Sequence, residues 1–204
     1  MNTGGPGTPH GFAPTVTIGS SIYVLGGGVS CSAPIASVAS ARVSRNGQQA
    51  RPVAALPAAR ASGGGVVLDG RIHFLGGCAG NAAFADMNAF DFLSNQWETH
   101  PGMQTARYGF ATAVLDGKIY AAGGGSIEGD GTLVDLPGNF EVFDPATGAW
   151  TTLPRVPTER IYAAGAAVDG KFYVIGGQNS LGTVFYDDVE IYDPKTGLWA
   201  SGPS

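Results

Sequence analysis

Three arginines and one histidine recur at one place in the chain and are the strongest candidates for chemistry. Each stands nine residues before an Asp-Gly or Gly-Ser pair: His10, Arg60, Arg107 and Arg160. A guanidinium group binds carboxylate or phosphate through a planar fork of N–H donors. If the fold brings these positions to one surface, they would form a positive collar for an anionic ligand.

Repetition also favours a structural role for the same arginines. A guanidinium group at an equivalent place in every repeat can bond to the loop carbonyls of its own unit and hold the scaffold together. Tyr108 and Ile161 follow two of the arginines directly and would offer a ligand flat or apolar contacts. The sequence therefore leaves both a scaffold and a binding interpretation open.

Other residues offer little for catalysis. His73 takes a place that tyrosine fills in the other repeats, which favours a packed strand residue over a general base. Glu128, Asp130 and Asp135 lie among glycines in one loop, but the alternating oxygen ligands and closing glutamate of a calcium loop are missing. We predict solvated loop carboxylates, no metal site and no cofactor.

The elements that position these residues repeat four times. A short apolar strand ends in a glycine pair in IYVLGG, IHFLGG, IYAAGG and FYVIGG, and the first glycines of the pairs are separated by 50, 47 and 53 residues. Asp69-Gly70, Asp116-Gly117 and Asp169-Gly170 precede three of these strands. Because both central residues of a type I′ turn need positive φ, these pairs predict β-hairpins.

A second pair of strands is predicted after the variable loop that follows each glycine pair. The first strand of the pair ends in an aromatic residue, Phe92, Phe143 or Tyr192, and the returning strand carries Trp97, Trp150 or Trp199. The turn before Trp97 is read as two residues shorter than the others. The first copy has Val43 and Ala50 at these places, so we predict that its outer strands have lost their aromatic anchors.

The glycine pair, an aromatic residue seven positions before a tryptophan, and a period near fifty residues resemble the kelch repeat. The resemblance covers nearly the whole chain. It implies an all-β fold, a kelch-type β-propeller of four four-stranded antiparallel blades, as either a partial ring or a four-blade ring. The blades of this single propeller unit would span about 10–57, 58–104, 105–157 and 158–204, with the last strand incomplete.

The resemblance also implies a function for the repeated arginines. In a kelch blade, the turn before the innermost strand and the loop after the glycine pair open at the same end. In some kelch proteins, arginines at this repeated place contact acidic peptides. We therefore expect a binding module that presents a ligand-binding set to an acidic peptide, protein or glycan: Arg60, Arg107, Arg160, His10 and Tyr108. His10 departs from the arginine pattern.

Two alternatives remain open. A propeller enzyme acting on a small anionic sugar, similar to a mutarotase, would use Arg107 or Arg160 with Glu128, and fold analogy alone suggests it. A truncated piece of a larger kelch protein would leave its first and last blades uncovered. Because uncapped repeat arrays associate, we also expect self-association through the terminal blades.

Charge and hydrophobicity argue against two classes of partner, nucleic acids and membranes. The net charge is −5 and no Lys/Arg run occurs, which argues against a nucleic-acid surface. We expect a soluble chain with no membrane partner, because no apolar stretch reaches about 18 residues and the first residues lack a signal core.

Cys31 and Cys78 both follow glycine pairs. Two separate loop thiols are the simpler interpretation; a disulfide and the cellular compartment stay open.

Overall fold

Nineteen β-strands and no helix form the part of the chain that the structure describes. The computed structural model describes residues 10–42, 53–135 and 138–202. No helix in these ranges is long and apolar enough to cross a membrane. The strands make successive antiparallel sheets in sequence order, which confirms the predicted all-β architecture.

Each blade is one antiparallel sheet. The first contains β1 (Thr15–Ile18), β2 (Ser21–Leu25) and β3 (Val38–Arg42). The second contains β4 (Gly64–Leu68), β5 (Arg71–Leu75), β8 (Met87–Asp91) and β9 (Gln96–His100). The third contains β10 (Ala111–Leu115), β11 (Lys118–Ala122), β14 (Phe140–Asp144) and β15 (Ala149–Thr152). The fourth contains β16 (Ala164–Val168), β17 (Lys171–Ile175), β18 (Val189–Asp193) and β19 (Leu198–Ser201). Val43 and Ala50, the predicted lost anchors of the first blade, lie outside the described residues.

Two short hairpins extend the loops that follow the glycine pairs. They are β6 (Cys78–Ala79) with β7 (Ala82–Ala83) and β12 (Gly125–Ile127) with β13 (Leu133–Asp135). Because strands alternate in direction, these loops open at the same end of the propeller as the segments that carry the repeated arginines. We call this the loop end, and the opposite end the turn end.

The inner hairpins turn as predicted. Asp69, Asp116 and Asp169 each have a φ of 50°, and the glycine that follows each of them has a φ of 72° to 74°. Both central residues of these two-residue loops are therefore left-handed, as a type I′ turn requires. The Asp-Gly prediction is confirmed at all three positions.

The outer turn of the second blade corrects the sequence alignment. Phe90, not Phe92, pairs with Trp97, in the same register as Phe143 with Trp150 and Tyr192 with Trp199. The turn is not shorter, because four residues separate the two outer strands in the second, third and fourth blades alike. Asn95 takes the left-handed position with a φ of 57°, where Gly148 and Gly197 stand in the other turns. Asparagine tolerates that conformation, so the turn has the same geometry although it lacks the glycine of the other two turns.

Successive blades pack through apolar faces. The face that a blade turns toward the preceding blade carries residues such as Ile72 and Phe74, which are fully buried. Each outer tryptophan also donates its indole N–H to the segment that links its blade to the one before. These bonds are Trp97 to the carbonyl of Ala54 at 3.0 Å, Trp150 to that of Pro101 at 2.8 Å and Trp199 to that of Pro154 at 2.8 Å.

The fourth blade has no such cover on its far face. Val168 is 51% exposed and Ile175 is 40% exposed, whereas Leu68 and Leu75, at the same places in the second blade, are buried. Within the described residues the four blades therefore form a partial ring and not a closed four-blade ring.

Candidate functional site

The repeated arginines and His10 make one backbone contact that is the same in every blade. Each side chain bonds to the carbonyl of the first glycine of its own pair, sixteen residues later. The distances are 2.8 Å from His10 Nδ1 to Gly26 O, 3.2 Å from Arg60 to Gly76 O, 3.3 Å from Arg107 to Gly123 O and 2.9 Å from Arg160 to Gly176 O. We call these four residues the arginine layer. Its three arginines are at most 3% exposed.

Carboxylates inside the same blade neutralise each arginine. Arg60 donates to Asp86 at 2.7 Å, and Arg107 donates to the buried Glu141 at 2.7 Å. Arg160 donates to both oxygens of Asp188 at 3.0 and 3.1 Å, and Glu190 lies 3.2 Å away without hydrogen-bond geometry. The first blade has Ser37 and Ala39 at the corresponding places. This copy has no carboxylate at either place and carries a histidine where the other blades carry an arginine.

Burial and pairing set the protonation states of the layer. Burial lowers the pKa of Arg107 to about 10, and Glu141 acts in the opposite direction. Arg107 therefore stays protonated at neutral pH. The hydrogen bond from Arg160 lowers the pKa of Asp188, whereas burial raises the pKa of Glu190. The layer contains one ion pair that is buried on both sides, Arg107 with Glu141, and two in which a buried arginine meets a partly exposed aspartate, Asp86 or Asp188.

The backbone of each arginine also joins neighbouring blades. The second glycine of each pair donates its N–H to the carbonyl of the arginine in the next blade: Gly27 to Arg60 at 2.8 Å, Gly77 to Arg107 at 3.0 Å and Gly124 to Arg160 at 2.9 Å. An arginine thus links two blades through its main chain and braces its own blade through its side chain. The guanidinium groups of Arg60, Arg107 and Arg160 are thus at most 3% exposed and engaged within their own blades, whereas the sequence analysis expected them to form an open collar.

A second repeated set lies two residues beyond the arginine layer, around the propeller axis. Its members, which we call the axial ring, are Phe12, Ser62, Gly109 and Tyr162. Each donates its backbone N–H to the carbonyl of the member in the preceding blade: Ser62 to Phe12 at 2.7 Å, Gly109 to Ser62 at 2.7 Å and Tyr162 to Gly109 at 2.6 Å. All four have a positive φ, between 53° and 62°. The backbone is constant here while the side chains differ.

Three members of the axial ring, Phe12, Ser62 and Tyr162, line a pocket of about 370 Å³ at the loop end. The ring of Tyr162 lies 5.7 Å from that of Phe12 and 6.2 Å from that of Tyr108, measured between centroids. Ile127 and Leu133, from the hairpin of the third blade, add aliphatic surface. None of the described residues that line this pocket is charged, so its surface suits an apolar or aromatic group.

A disulfide borders the same pocket. Cys31, in the loop of the first blade, is bonded to Cys78, in the loop of the second, with Cα atoms 5.2 Å apart. The simpler interpretation of two separate thiols is therefore wrong. Gly80 N–H also donates to the carbonyl of Cys31 at 2.7 Å. The disulfide and this hydrogen bond hold together the parts of the pocket wall that come from the first and second blades.

Two aromatic residues of the axial ring occupy a costly backbone conformation. Phe12 has a φ of 53° and Tyr162 a φ of 57°, a region where the Cβ of an L-residue meets steric conflict. Gly109 fills the equivalent place in the third blade without that cost. Phe12 is 54% exposed and Tyr162 is 41% exposed, so burial does not account for keeping large side chains there.

Comparison with known proteins identifies the family. A family model described as the KLHDC2/KLHL20/DRC7 Kelch-repeats domain matches residues 13–203. The chain belongs to the kelch-repeat family.

Individual relatives agree with that family. The chain is similar to two F-box/kelch-repeat proteins of Arabidopsis thaliana. At1g67480 is 30% identical over 138 residues, covering 66% of this chain and 35% of the relative, and At4g39580 is 34% identical over 140 residues, covering 67% and 33%. The kelch chain thus spans about a third of the length of these relatives.

A solved structure shares the fold. The one entitled "Structure of YjhT" superposes with a TM-score of 0.77 at 17% identity, covering 97% of this chain and 66% of that chain. At this identity the likeness shows the kelch propeller fold alone.

The structure brings the predicted site residues to one end but assigns them different environments. Arg60, Arg107, Arg160 and His10 form the internal layer, and Tyr108, 3% exposed, lines the pocket. Glu128 is exposed at the hairpin of the third blade, and the described residues contain no group of His, Cys, Asp or Glu that could hold a metal ion.

Sequence reasoning missed Phe12 and Tyr162. A signal was available, because the place two residues after each repeated arginine holds Phe, Ser, Gly and Tyr in the four kelch repeats. A position that accepts glycine and large aromatic residues alike indicates a constant backbone whose side chain is free to vary.

Proposed function

We propose that this kelch chain is a protein-interaction module whose ligand surface is the uncharged pocket at the loop end. The partner would insert an apolar or aromatic side chain over Phe12, Tyr108 and Tyr162. The single observation that carries the proposal is the strained backbone of Phe12 and Tyr162. Residues kept in a sparsely populated conformation cluster at functional sites, where the surrounding structure sustains the cost.

The electrostatics of the loop end support an apolar ligand over an acidic one. An acidic peptide needs guanidinium groups that it can reach, and those of Arg60, Arg107 and Arg160 are at most 3% exposed and pair with carboxylates inside their blades. The pocket instead offers ring faces, aliphatic groups and the polar side chain of Asn81. Rigid aromatic anchors of this kind dominate the free energy of many protein interfaces.

The sugar-acid enzyme has no observation in its favour. It requires Arg107 or Arg160 to act beside Glu128, yet Arg107 pairs with Glu141 and Arg160 pairs with Asp188. Glu128 is exposed, and its backbone N–H bonds to the carbonyl of Thr132 within its own hairpin. The interaction module is therefore the function that the geometry supports best.

A peptide selection separates the two kinds of ligand. We would select binders from a random peptide library displayed on phage and then measure the affinity of the enriched peptides by calorimetry. Enrichment of Leu, Phe, Trp and Met supports the proposal. Enrichment of Asp and Glu, with an affinity that falls steeply as salt increases, would contradict it and favour the arginines as ligand donors.

Variants locate the bound peptide. Tyr162→Ala should weaken binding at least about tenfold, because it removes an aromatic anchor from the pocket. Leu93→Ala is the matched control, since Leu93 is an apolar residue that is 95% exposed in a turn at the opposite end. Equal losses from both variants would place the peptide elsewhere.

A further inference from the structure

The axial ring contains a buried serine whose hydroxyl has no partner. Ser62 is 8% exposed, and within residues 10–42, 53–135 and 138–202 no group forms a hydrogen bond with its Oγ. Buried hydroxyl groups in folded proteins are nearly always hydrogen-bonded, either to protein or to water. Because Ser62 lines the pocket at the loop end, its hydroxyl is available to a group that occupies the pocket.

The backbone does not explain why a serine stands at this place. Ser62 has a φ of 56°, a left-handed conformation that glycine adopts without cost, and Gly109 fills the equivalent place in the third blade. A serine side chain can favour an unusual backbone conformation by bonding to a nearby backbone group, but Ser62 Oγ makes no such bond in the described chain. Glycine would also keep the backbone bonds to Phe12 and Gly109. The hydroxyl is therefore the feature that needs a role.

Aromatic rings lie on both sides of Ser62. In the axial ring Ser62 stands between Phe12 and Gly109, joined to each by a backbone hydrogen bond of 2.7 Å. The ring of Tyr162 covers Gly109, because a Cβ added there would lie 3.0 Å from one of its ring carbons. The rings of Phe12 and Tyr162 are 5.7 Å apart. An aromatic group that packs against these two rings would therefore come to lie beside the Ser62 hydroxyl.

The other polar side chains of the pocket do not need a ligand in the same way. Ser30 and Ser32 bond to each other, with their Oγ atoms 2.7 Å apart. Asn81 is exposed, so water can solvate its amide. Ser62 differs because a ligand in the pocket would separate its hydroxyl from water. A purely hydrocarbon side chain would then leave that hydroxyl unpaired, which weakens binding.

We propose that the pocket selects an aromatic side chain with an N–H or O–H donor on its edge, and that Ser62 Oγ accepts the hydrogen bond from this donor. Tryptophan and tyrosine combine a large apolar ring with one such donor. Ser62 thus determines specificity, whereas Phe12, Tyr108 and Tyr162 supply the contacts with the ring. The inference rests on the proposed function, since it assigns chemistry to the side chain that the partner inserts.

Matched peptides test this hydrogen bond. The probe is a phage-selected peptide whose binding is weakened by Tyr162→Ala, with its anchor position identified by an alanine scan. It is synthesised with tryptophan, benzothienylalanine, tyrosine or phenylalanine at the anchor. Benzothienylalanine carries sulfur in place of the indole N–H, and phenylalanine lacks the tyrosine hydroxyl. By calorimetry, the tighter of the two donor-bearing peptides should bind at least about fivefold more tightly than its donor-free counterpart.

Serine variants assign this difference to one hydroxyl. With Ser62→Ala the two peptides of that pair should bind within about twofold of each other, because the buried acceptor is gone. Circular dichroism checks folding, and Ser62→Gly, which introduces the residue of the third blade, provides a second variant where Ser62→Ala fails to fold. Ser32→Ala is the matched control. It removes an exposed hydroxyl from the same pocket and should keep the difference of at least about fivefold.

The possible results separate this inference from the proposed function. If Tyr162→Ala weakens none of the selected peptides, they bind outside the pocket, and both proposals are wrong. If Tyr162→Ala weakens binding but donor-bearing and donor-free peptides bind equally well, only the role of Ser62 is overturned. A difference that Ser62→Ala leaves intact, or that Asn81→Ala abolishes instead, overturns that role as well.

Discussion

The arginine layer and the axial ring lie two residues apart in sequence, yet they differ in what is held constant. In the arginine layer the side chain repeats, its contact to the glycine carbonyl repeats, and its charge is balanced within the blade. In the axial ring the backbone repeats, while the side chain changes from Phe to Ser, Gly and Tyr. The three arginines of the first set are buried, whereas Phe12, Ser62 and Tyr162 of the second line a pocket.

The contrast teaches how one repeat supports both scaffold and recognition. A residue whose side chain is buried and bonded inside its own blade in every copy contributes to stability, because its removal leaves those internal partners without their bonds. A residue on a fixed backbone with a variable side chain presents chemistry without disturbing the fold. The difference predicts that variants in the first set change stability and that variants in the second change affinity.

Removal of Arg107 should have the largest effect on stability. Arg107→Ala leaves the carboxylate of Glu141, which is 2% exposed, without its charged partner and with the backbone N–H of Gln104 as a remaining donor. Breaking a buried pair in this way costs about 3–5 kcal/mol of the free energy of unfolding. Chemical denaturation with urea measures the loss.

Arg60→Ala is the matched control for that variant. The side chain of Asp86, its partner, is 39% exposed and regains water when the arginine is removed. We expect a smaller loss than at Arg107. Equal losses of stability from the two variants would show that burial of the carboxylate does not determine the cost of removing its arginine. If Arg107→Ala left the free energy of unfolding unchanged, the contrast between the arginine layer and the axial ring would be wrong.

His73 tests whether variation among copies always indicates recognition. It replaces Tyr23, Tyr120 and Tyr173 of the other blades, but it is buried in the core. Burial, with the nearby His100, lowers its pKa from 6.5 to about 4. Between pH 4 and pH 6.5 the unfolded chain therefore binds more protons at this residue than the folded chain does. The contribution of the neutral His73 to the free energy of unfolding is present above pH 6.5 and is lost as the pH falls toward 4.

Between pH 7.5 and pH 5 we expect this group to reduce the free energy of unfolding by about 2 kcal/mol. His73→Tyr, which restores the residue of the other blades, should remove that part of the pH dependence. Urea denaturation at both pH values provides the measurement. A variant with the same pH profile as the parent would show that His73 is not the titrating group.

Tyr162→Gly should separate stability from affinity. Glycine relieves the left-handed strain, worth about 1–2 kcal/mol, and the lost ring contacts offset part of that gain. We expect the free energy of unfolding to stay within about 1 kcal/mol of the parent, while the selected peptide binds at least about tenfold more weakly. Asn95→Gly, which relieves a φ of 57° at the turn end, should leave the affinity unchanged.

Much of the fold could be predicted from local sequence signals. Asp-Gly pairs, glycine pairs and the aromatic residue seven positions before a tryptophan each reflect a backbone or packing requirement inside one blade. The error at Phe92 arose where asparagine replaced glycine at a left-handed position. A search for glycine could not detect Asn95, because both residues satisfy the same turn.

The candidate site was harder to predict because it depends on contacts between blades. The partners of Arg107 and Arg160 lie 34 and 28 residues farther along the chain, and only the sheet register brings the carboxylates under the guanidinium groups. The Cys31–Cys78 disulfide requires a Cα separation that spacing in sequence does not determine. The pocket itself exists only where loops of the first three blades meet Tyr162 of the fourth.

Chemical modification of arginine tests the central claim most directly, since it needs no ligand. The folded chain would be treated with phenylglyoxal, a dicarbonyl reagent specific for guanidinium groups, and the modified sites would be quantified by mass spectrometry. We predict that Arg60, Arg107 and Arg160 stay unmodified while the exposed Arg155 reacts. Modification of the three layer arginines at the rate of Arg155 would contradict the account, because it would show that their guanidinium groups are accessible to a ligand.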